Sequence, residues 1–208
     1  MKPRSRLRAL WVLALLLAVG LLSFVALRHR PMLSDKSDSS DQSSHAIHRT
    51  NLLFQAGHWL LPGITNLFTG LLLDTYEDGS RKSLSAVTNG LLHGLSIGWH
   101  TNGQQQIEEH YLAGVSHGLR IKWHPNGQKL SEVMIVNGQL HGTFRRWDES
   151  GTLTEEIEMK AGQPDGLSRA YYPSGALKTQ VRLEQGRVIE RRSWRDGEKP
   201  ALTHPPAG

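Results

Sequence analysis

Five glycines stand 24 residues apart in the middle of this chain: Gly70, Gly94, Gly118, Gly142 and Gly166. Two more glycine columns, nine and twenty residues further on, keep the same spacing. A fixed period of this length indicates tandem repeats, in which each unit buries its apolar residues only by stacking on its neighbours. The chain is therefore predicted to hold five repeats, and any function should lie on a surface made by repetition.

Each repeat carries two turn signals, as in Thr101-Asn102-Gly103 and Asn137-Gly138. Asn-Gly favours a tight hairpin turn because glycine reaches positive φ without a Cβ clash. Between the turns apolar and polar residues alternate, as a half-buried strand requires. The prediction is an all-β fold, an elongated single-layer antiparallel meander of stacked β-hairpins. One face of the sheet is expected to be lined by the aromatic and aliphatic columns.

The chain is predicted to divide into four segments. Residues 1–30 form an N-terminal signal anchor or transmembrane segment, 31–51 a flexible linker rich in Ser and Asp, 52–197 the repeat domain and 198–208 a disordered tail. Leu52 to Gly70 is interpreted as a degenerate entry repeat and Arg187 to Gly197 as a closing one. An open stack needs such atypical ends to protect its edges.

The shared pattern is aromatic-x3-Gly-x10-Gly-x2-His-Gly, as from Trp99 through Gly118, and it resembles MORN repeats (membrane occupation and recognition nexus). The closest resemblance is to the bacterial MORN-repeat-variant group, some of whose members are labelled antitoxins. The opening Asn66-Leu-Phe-Thr-Gly70 resembles the phrase that begins such arrays. Asp165 replaces the histidine of the pattern and Tyr171 the tryptophan. The resemblance covers about residues 52 to 197 and implies a fold more than a function, since the family includes lipid-binding and scaffolding members.

Ala9 to Leu27 is an uncharged, largely apolar segment that, as a helix, would cross about 28 Å of hydrocarbon. Four basic residues precede it and two follow, which favours an N-in orientation with the repeats outside the cytoplasm. The expected location is the inner (cytoplasmic) membrane, with the repeat domain in the periplasm. The alternative is a signal peptide cleaved near Ala18-Val19-Gly20, which would leave a secreted or periplasmic protein. The chain has no cysteine, so neither a lipoprotein anchor nor a disulfide framework is available.

The basic charge of the chain belongs to its N-terminus. Residues 1–30 hold six Lys and Arg without an acidic residue, whereas residues 66–190 hold 12 Lys and Arg against 14 Asp and Glu. A nucleic-acid partner is not expected, because the repeats lack the basic surface that neutralises phosphates.

The histidine columns, such as His93, His117 and His141, are interpreted as turn elements and not as metal ligands. Successive members of a column lie roughly 10 Å apart, whereas zinc needs every ligand nitrogen within about 2.1 Å of one ion. Two columns meeting at one turn, with His110 and His117 near His124, leave a metal or pH-sensing site open as an alternative. No catalytic residue and no cofactor is predicted, since the repeats contain neither a nucleophile elbow nor a phosphate loop.

The predicted function is non-enzymatic: a membrane-anchored interaction or scaffold module outside the cytoplasm, with a protein or an envelope component as partner. An antitoxin or immunity-like protein that binds a toxin is the alternative that the resemblance implies. A histidine-based metal-binding protein or envelope enzyme is a third possibility. The candidate partner-binding residues are an aromatic column and two arginines of the later repeats: Trp99, Trp123, Trp147, Tyr171, Arg145 and Arg169.

Overall fold

Paired turns at every repeat fold the chain back and forth into one long sheet. The computed structural model describes residues 45–63 and 66–198. Fifteen strands are found in these ranges: β1 Ile47–His48, β2 Leu53–Gln55, β3 His58–Leu60, β4 Gly70–Thr75, β5 Arg81–Thr88, β6 Leu91–Trp99, β7 Gln105–Leu112, β8 Val115–Ser116, β9 Gly118–Trp123, β10 Lys129–Val136, β11 Gln139–Trp147, β12 Leu153–Lys160, β13 Gln163–Tyr171, β14 Leu177–Glu184 and β15 Arg187–Ser193.

Thirteen of these strands form one sheet, in which β4 to β15 follow chain order and pair antiparallel. β1 joins the N-terminal edge by parallel pairing with β4, and β8 adds a short pairing to β7. Within the described ranges, the helical residues are His45 and one 3-10 turn, Arg49–Asn51. The all-β hairpin prediction is confirmed. The sheet begins at Ile47, within the segment predicted as linker.

The entry segment differs from the single layer that the sequence predicts. β2 and β3 form a separate two-stranded sheet, and Trp59 of β3 packs on a buried cluster made by Leu52, Phe68, Leu72 and Val87. Burial of such side chains stabilises the fold by about 1.5–3 kcal/mol each. The N-terminal end of the long sheet is therefore covered by a second layer.

The turns between repeats place two successive residues at positive φ, as in Asn137 (50°) and Gly138 (79°). The glycine of each turn donates its backbone N–H to a carbonyl near the start of the preceding hairpin, at 2.7 to 3.0 Å: Gly90 to Phe68, Gly114 to Leu92, Gly138 to Ser116, Gly162 to Leu140 and Gly186 to Pro164. Each turn is thus bonded to the preceding repeat, which fixes how the hairpins stack.

A column of side-chain acceptors makes a second bond to the same turns. His93 Nδ1 accepts from the Ala113 N–H, and His117 Nδ1 from the Asn137 N–H, each at 3.3 Å. Where the column is not histidine, the oxygen of Thr69 or Asp165 accepts in the same way, from Asn89 and Gln185. Histidine, threonine and aspartate thus play the same role in this column, which is to accept a hydrogen bond from the backbone of the next inter-repeat turn.

The other turn of each repeat is bonded to its neighbour as well. His100 Nε2 and His124 Nε2 donate to the carbonyls of Trp123 and Trp147, both at 3.0 Å. The hydroxyls of Tyr76 and Tyr172 donate to the corresponding carbonyls of Trp99 and Trp194. Tyr76, His100, His124 and Tyr172 of this column thus donate forward by one repeat, whereas Asp148 at the same position accepts from Ser150 and Thr152 of its own turn.

The pairing separates the aromatic and aliphatic columns onto opposite faces, which corrects the expectation of one lined face. Ile121 lies directly opposite Glu132, so the buried Val133 and Ile135 point to the other side. We call the side of Leu95, Ile97 and Trp99 the aromatic face, and the side of Val133 and Ile135 the aliphatic face. Side chains directly opposite each other on paired strands share a face.

Candidate interaction surface

Six exposed apolar side chains lie together on the aromatic face, and we call them the central patch. Their exposed fractions range from 37% to 51%. They are Leu95, Leu112, Val115, Leu119, Met134 and Val136. Soluble proteins seldom leave a contiguous apolar surface open without a binding role.

The strand register explains why the central patch is continuous. Leu119 is directly opposite Met134, and Leu112 directly opposite Val115. Val136 is two residues beyond Met134 on β10 and shares its face. Val115 approaches the next inter-repeat turn, where a Cβ on Gly138 would lie 3.7 Å from its side chain. The patch therefore crosses from β6 to β10.

The aromatic column borders the central patch on the same face. Trp99, Trp123 and Trp147 each follow two residues after the Ile97, Ile121 and Arg145 positions, so strand alternation places them on the aromatic face. All three and Tyr171 are half-buried. Basic groups cover two of the rings, with Arg81 5.0 Å from the Trp99 ring centre and Lys129 Nζ 5.2 Å from that of Trp147.

An ionic row replaces the apolar residues toward the C-terminal strands. Arg145 contacts Glu132 at 3.3 Å on one side and Glu156 at 3.0 Å on the other. Arg169 contacts Glu156 at 2.8 Å, and Lys129 contacts Glu132 at 2.8 Å. Both candidate arginines are therefore engaged within the sheet. An acidic partner would have to compete with these carboxylates.

The ionic row changes the protonation equilibria of its members. The hydrogen bond from Lys129 lowers the pKa of Glu132, with a smaller contribution from Arg145. The bond to Glu156 raises the pKa of Arg145 above its ordinary value. Burial and then the charge of Glu156 raise the pKa of Tyr171. The lowered pKa of Glu132 and the raised pKa of Arg145 both favour the charged forms, so these two neighbours carry opposite charges at neutral pH.

The structure does not gather the histidines that the sequence left open as a metal site. His110 Nδ1 lies 3.3 Å from the Leu119 carbonyl, and His117 and His124 bond the backbone as described above. Within residues 45–63 and 66–198, no three His, Cys, Asp or Glu side chains are arranged to hold a metal ion.

One buried polar cluster escaped the sequence analysis. Glu109 on the aliphatic face accepts hydrogen bonds from Arg120, from the Ser116 hydroxyl at 2.5 Å and from the Tyr111 hydroxyl at 3.0 Å. Burial acts to raise the pKa of Glu109, but the bonds from Arg120 and Ser116 outweigh it and leave the pKa lowered. The signal in the sequence is a carboxylate in a column whose later members, Val133, Ile157 and Val181, are apolar, with Arg120 in a strand that follows.

A protein-family model described as the MORN repeat variant matches the chain twice, at residues 116–137 and 140–161. These two stretches are similar to MORN-type repeats. They run from β8 to β12 and carry Leu119, Met134, Trp123, Trp147 and Arg145. No curated protein matches the chain, and the family match does not bear on a grouping with antitoxins.

In the part of the chain that the structure describes, no helix has the length and apolar content of a membrane span. The segment predicted to cross the membrane, Ala9 to Leu27, lies outside the described residues.

Proposed function

We propose that the chain is a non-enzymatic interaction module that binds a protein partner through the aromatic face of its MORN-type repeats. The observation that carries the proposal is the central patch, because six exposed apolar side chains on one face of a sheet form a surface that a partner can desolvate. Half-buried aromatic rings beside it supply the residue type that dominates binding energy at interfaces.

The ionic row gives the patch an orientation. The exposed apolar side chains of the central patch end at β10, and alternating charges continue beside the aromatic column through β11 to β13. Charge at the rim of an interface contributes more to specificity and approach than to affinity. A partner with an apolar ridge flanked by its own alternating charges fits this surface best.

The N-terminal apolar segment supports membrane attachment as part of the same proposal. Ala9 to Leu27 would hold the module at the inner membrane, with the repeats outside the cytoplasm. The partner would then be another protein or component of the envelope.

Site-specific photo-cross-linking tests the binding face. A cross-linking amino acid at position 119 lies on the aromatic face, and the same amino acid at position 122 is a matched control, since Leu119 and Lys122 are exposed positions of β9 on opposite faces. We expect a protein adduct from position 119 and none from position 122. A second arm places the cross-linker at position 115 and adds Leu119→Glu, which should abolish the adduct. Equal adducts from both faces would refute the proposal.

A further inference from the structure

A groove of about 440 Å³ lies on the aliphatic face near the C-terminal end of the sheet. Ile157, Ala170 and Val181 form its apolar floor, from β12 to β14. Glu155 borders it on one side and Arg191 of β15 on the other. The volume lies in the range of sites for small molecules.

The groove exists because this repeat has small side chains where the two repeats before it have large ones. Ser168 occupies the column of Arg120 and Phe144, and Ala170 that of Lys122 and Arg146. Ser168 lies directly opposite both Ile157 and Val181, so its short side chain leaves the floor uncovered. The repeat itself thus shows which side chains would fill the groove.

The charge around the groove is basic. Arg191 lies directly opposite Val181 and makes no ion pair with any residue of 45–63 or 66–198. Lys178 also lines the groove, whereas the guanidinium of Arg169 lies on the aromatic face and pairs with Glu156 at 2.8 Å. The lining has one acidic residue, Glu155, and its carboxylate is engaged by Arg146 at 3.4 Å. An anion is therefore favoured over a cation here.

The groove also holds an unsatisfied polar group. The hydroxyl of Ser168 is buried and has no hydrogen-bond partner within the described ranges. Buried polar atoms without a partner are uncommon, since each costs about 1–3 kcal/mol. A ligand oxygen above the floor would supply a partner after rotation about the Cα–Cβ bond of Ser168.

We propose that this groove binds a small amphiphilic carboxylate, with its apolar body on Ile157, Ala170 and Val181 and its carboxylate on Arg191. The site lies on the face opposite the central patch and does not depend on the proposed function. Arg191 provides the bidentate geometry that a carboxylate prefers.

The test uses 4-phenylbutyrate as the probe and 4-phenylbutylamine as its cationic counterpart, titrated against the full chain by saturation-transfer NMR. We expect saturable binding of the carboxylate and much weaker binding of the amine. Arg191→Ala should weaken carboxylate binding on the order of tenfold. The matched control is Arg192→Ala, because Arg192 is the next residue of β15 and lies opposite Gln180 on the aromatic face.

Filling the groove gives a second, independent readout. Ser168→Phe should abolish binding, and its column neighbour Phe144 shows that the repeat accepts this side chain. If Ser168→Phe lowers the thermal midpoint, Ala170→Arg replaces it as the groove-filling variant and should also abolish binding. This change copies the residue type of Arg146 in the same column. Equal binding of both probes, or no effect of Arg191→Ala, would overturn the proposal. Binding that appears only after removal of residues 199–208 would also overturn it, because the groove would then belong to the tail of the chain.

Discussion

Three of the five inter-repeat turns hold a residue other than asparagine or glycine at positive φ: Ala113, Ala161 and Gln185. Ala113 and Ala161 have φ of 48° and 49°, whereas Asn89 and Asn137 occupy the same turn position at 49° and 50°. The left-handed region costs a residue with a Cβ roughly 1–2 kcal/mol, and asparagine tolerates it best after glycine. Ala113→Asn and Ala161→Asn should therefore each stabilise the fold by about 1 kcal/mol. The bond from the Ala113 N–H to His93 is made by the backbone of residue 113 and survives the change.

Urea unfolding of residues 45–198 measures the effect. With a slope of about 2 kcal/mol per molar urea, each substitution should raise the midpoint by about 0.5 M. The double variant should raise it by about 1 M, since turns two repeats apart, roughly 20 Å, act independently. The reverse changes, Asn89→Ala and Asn137→Ala, are the controls and should lower the midpoint by a similar amount. An unchanged midpoint in Ala113→Asn, or a higher one in Asn137→Ala, would refute the argument from positive φ.

Three further outcomes are expected. Gly142→Val should lower the urea midpoint strongly, because Gly142 has a φ of 74°. A Cβ at this position would meet no atom within 4 Å, so Gly142→Asn should lower the midpoint much less. Equal losses in the two variants would point to packing instead of φ. Glu109 has a lowered pKa in the fold, so the stability it contributes is present above its ordinary pKa of 4.5 and is lost as pH falls through the folded pKa. Glu109→Gln should therefore reduce the loss of stability at acidic pH. The same loss in the variant would argue against this role. A phosphatase fused after residue 208 should be active and stay membrane-bound through an alkaline wash, whereas an active but released fusion would indicate cleavage near Gly20 and an inactive one the opposite orientation.

The hairpins and their boundaries could be predicted from the sequence because glycine marks the positive φ of each turn. The assignment of columns to faces could not. Residues 98 and 99 pair with residues 107 and 105, and the same kind of bulge recurs at residues 146/147 and 170/171. A one-residue shift moves side chains to the other face. Alternation within each strand does not reveal this shift, so the sequence predicts Val133 on the face of the tryptophans, whereas the structure places it on the opposite face.

The sequence predicts only part of the candidate site, because the rest depends on the strand register. The aromatic column is visible because it recurs at the repeat period, and Arg145 because it replaces an apolar residue of earlier repeats. Leu112, Val115 and Val136 flank turns and show no periodic signal of exposure. The glutamates that engage Arg145 lie on the two neighbouring strands, Glu132 on β10 and Glu156 on β12, and only the register brings them to it. The bonding role of the histidine column was hidden because its partners belong to a later turn of the chain.

Backbone and turn side chains hold the repeats together, whereas the side chains in the middle of the strands form the surface. One array can therefore carry an apolar patch and an ionic row on the same face. Stacking is maintained by glycine N–H groups and by a column in which Thr69, His93 and Asp165 are equivalent acceptors. These bonds involve turn positions and leave the central strand positions free. Leu73, Leu84 and Ile97 can thus be succeeded in the same cross-sheet row by Glu132, Arg145 and Glu156 without a change of register. It follows that the aromatic face can be altered at single positions, as in Leu119→Glu, to change binding while the stack persists.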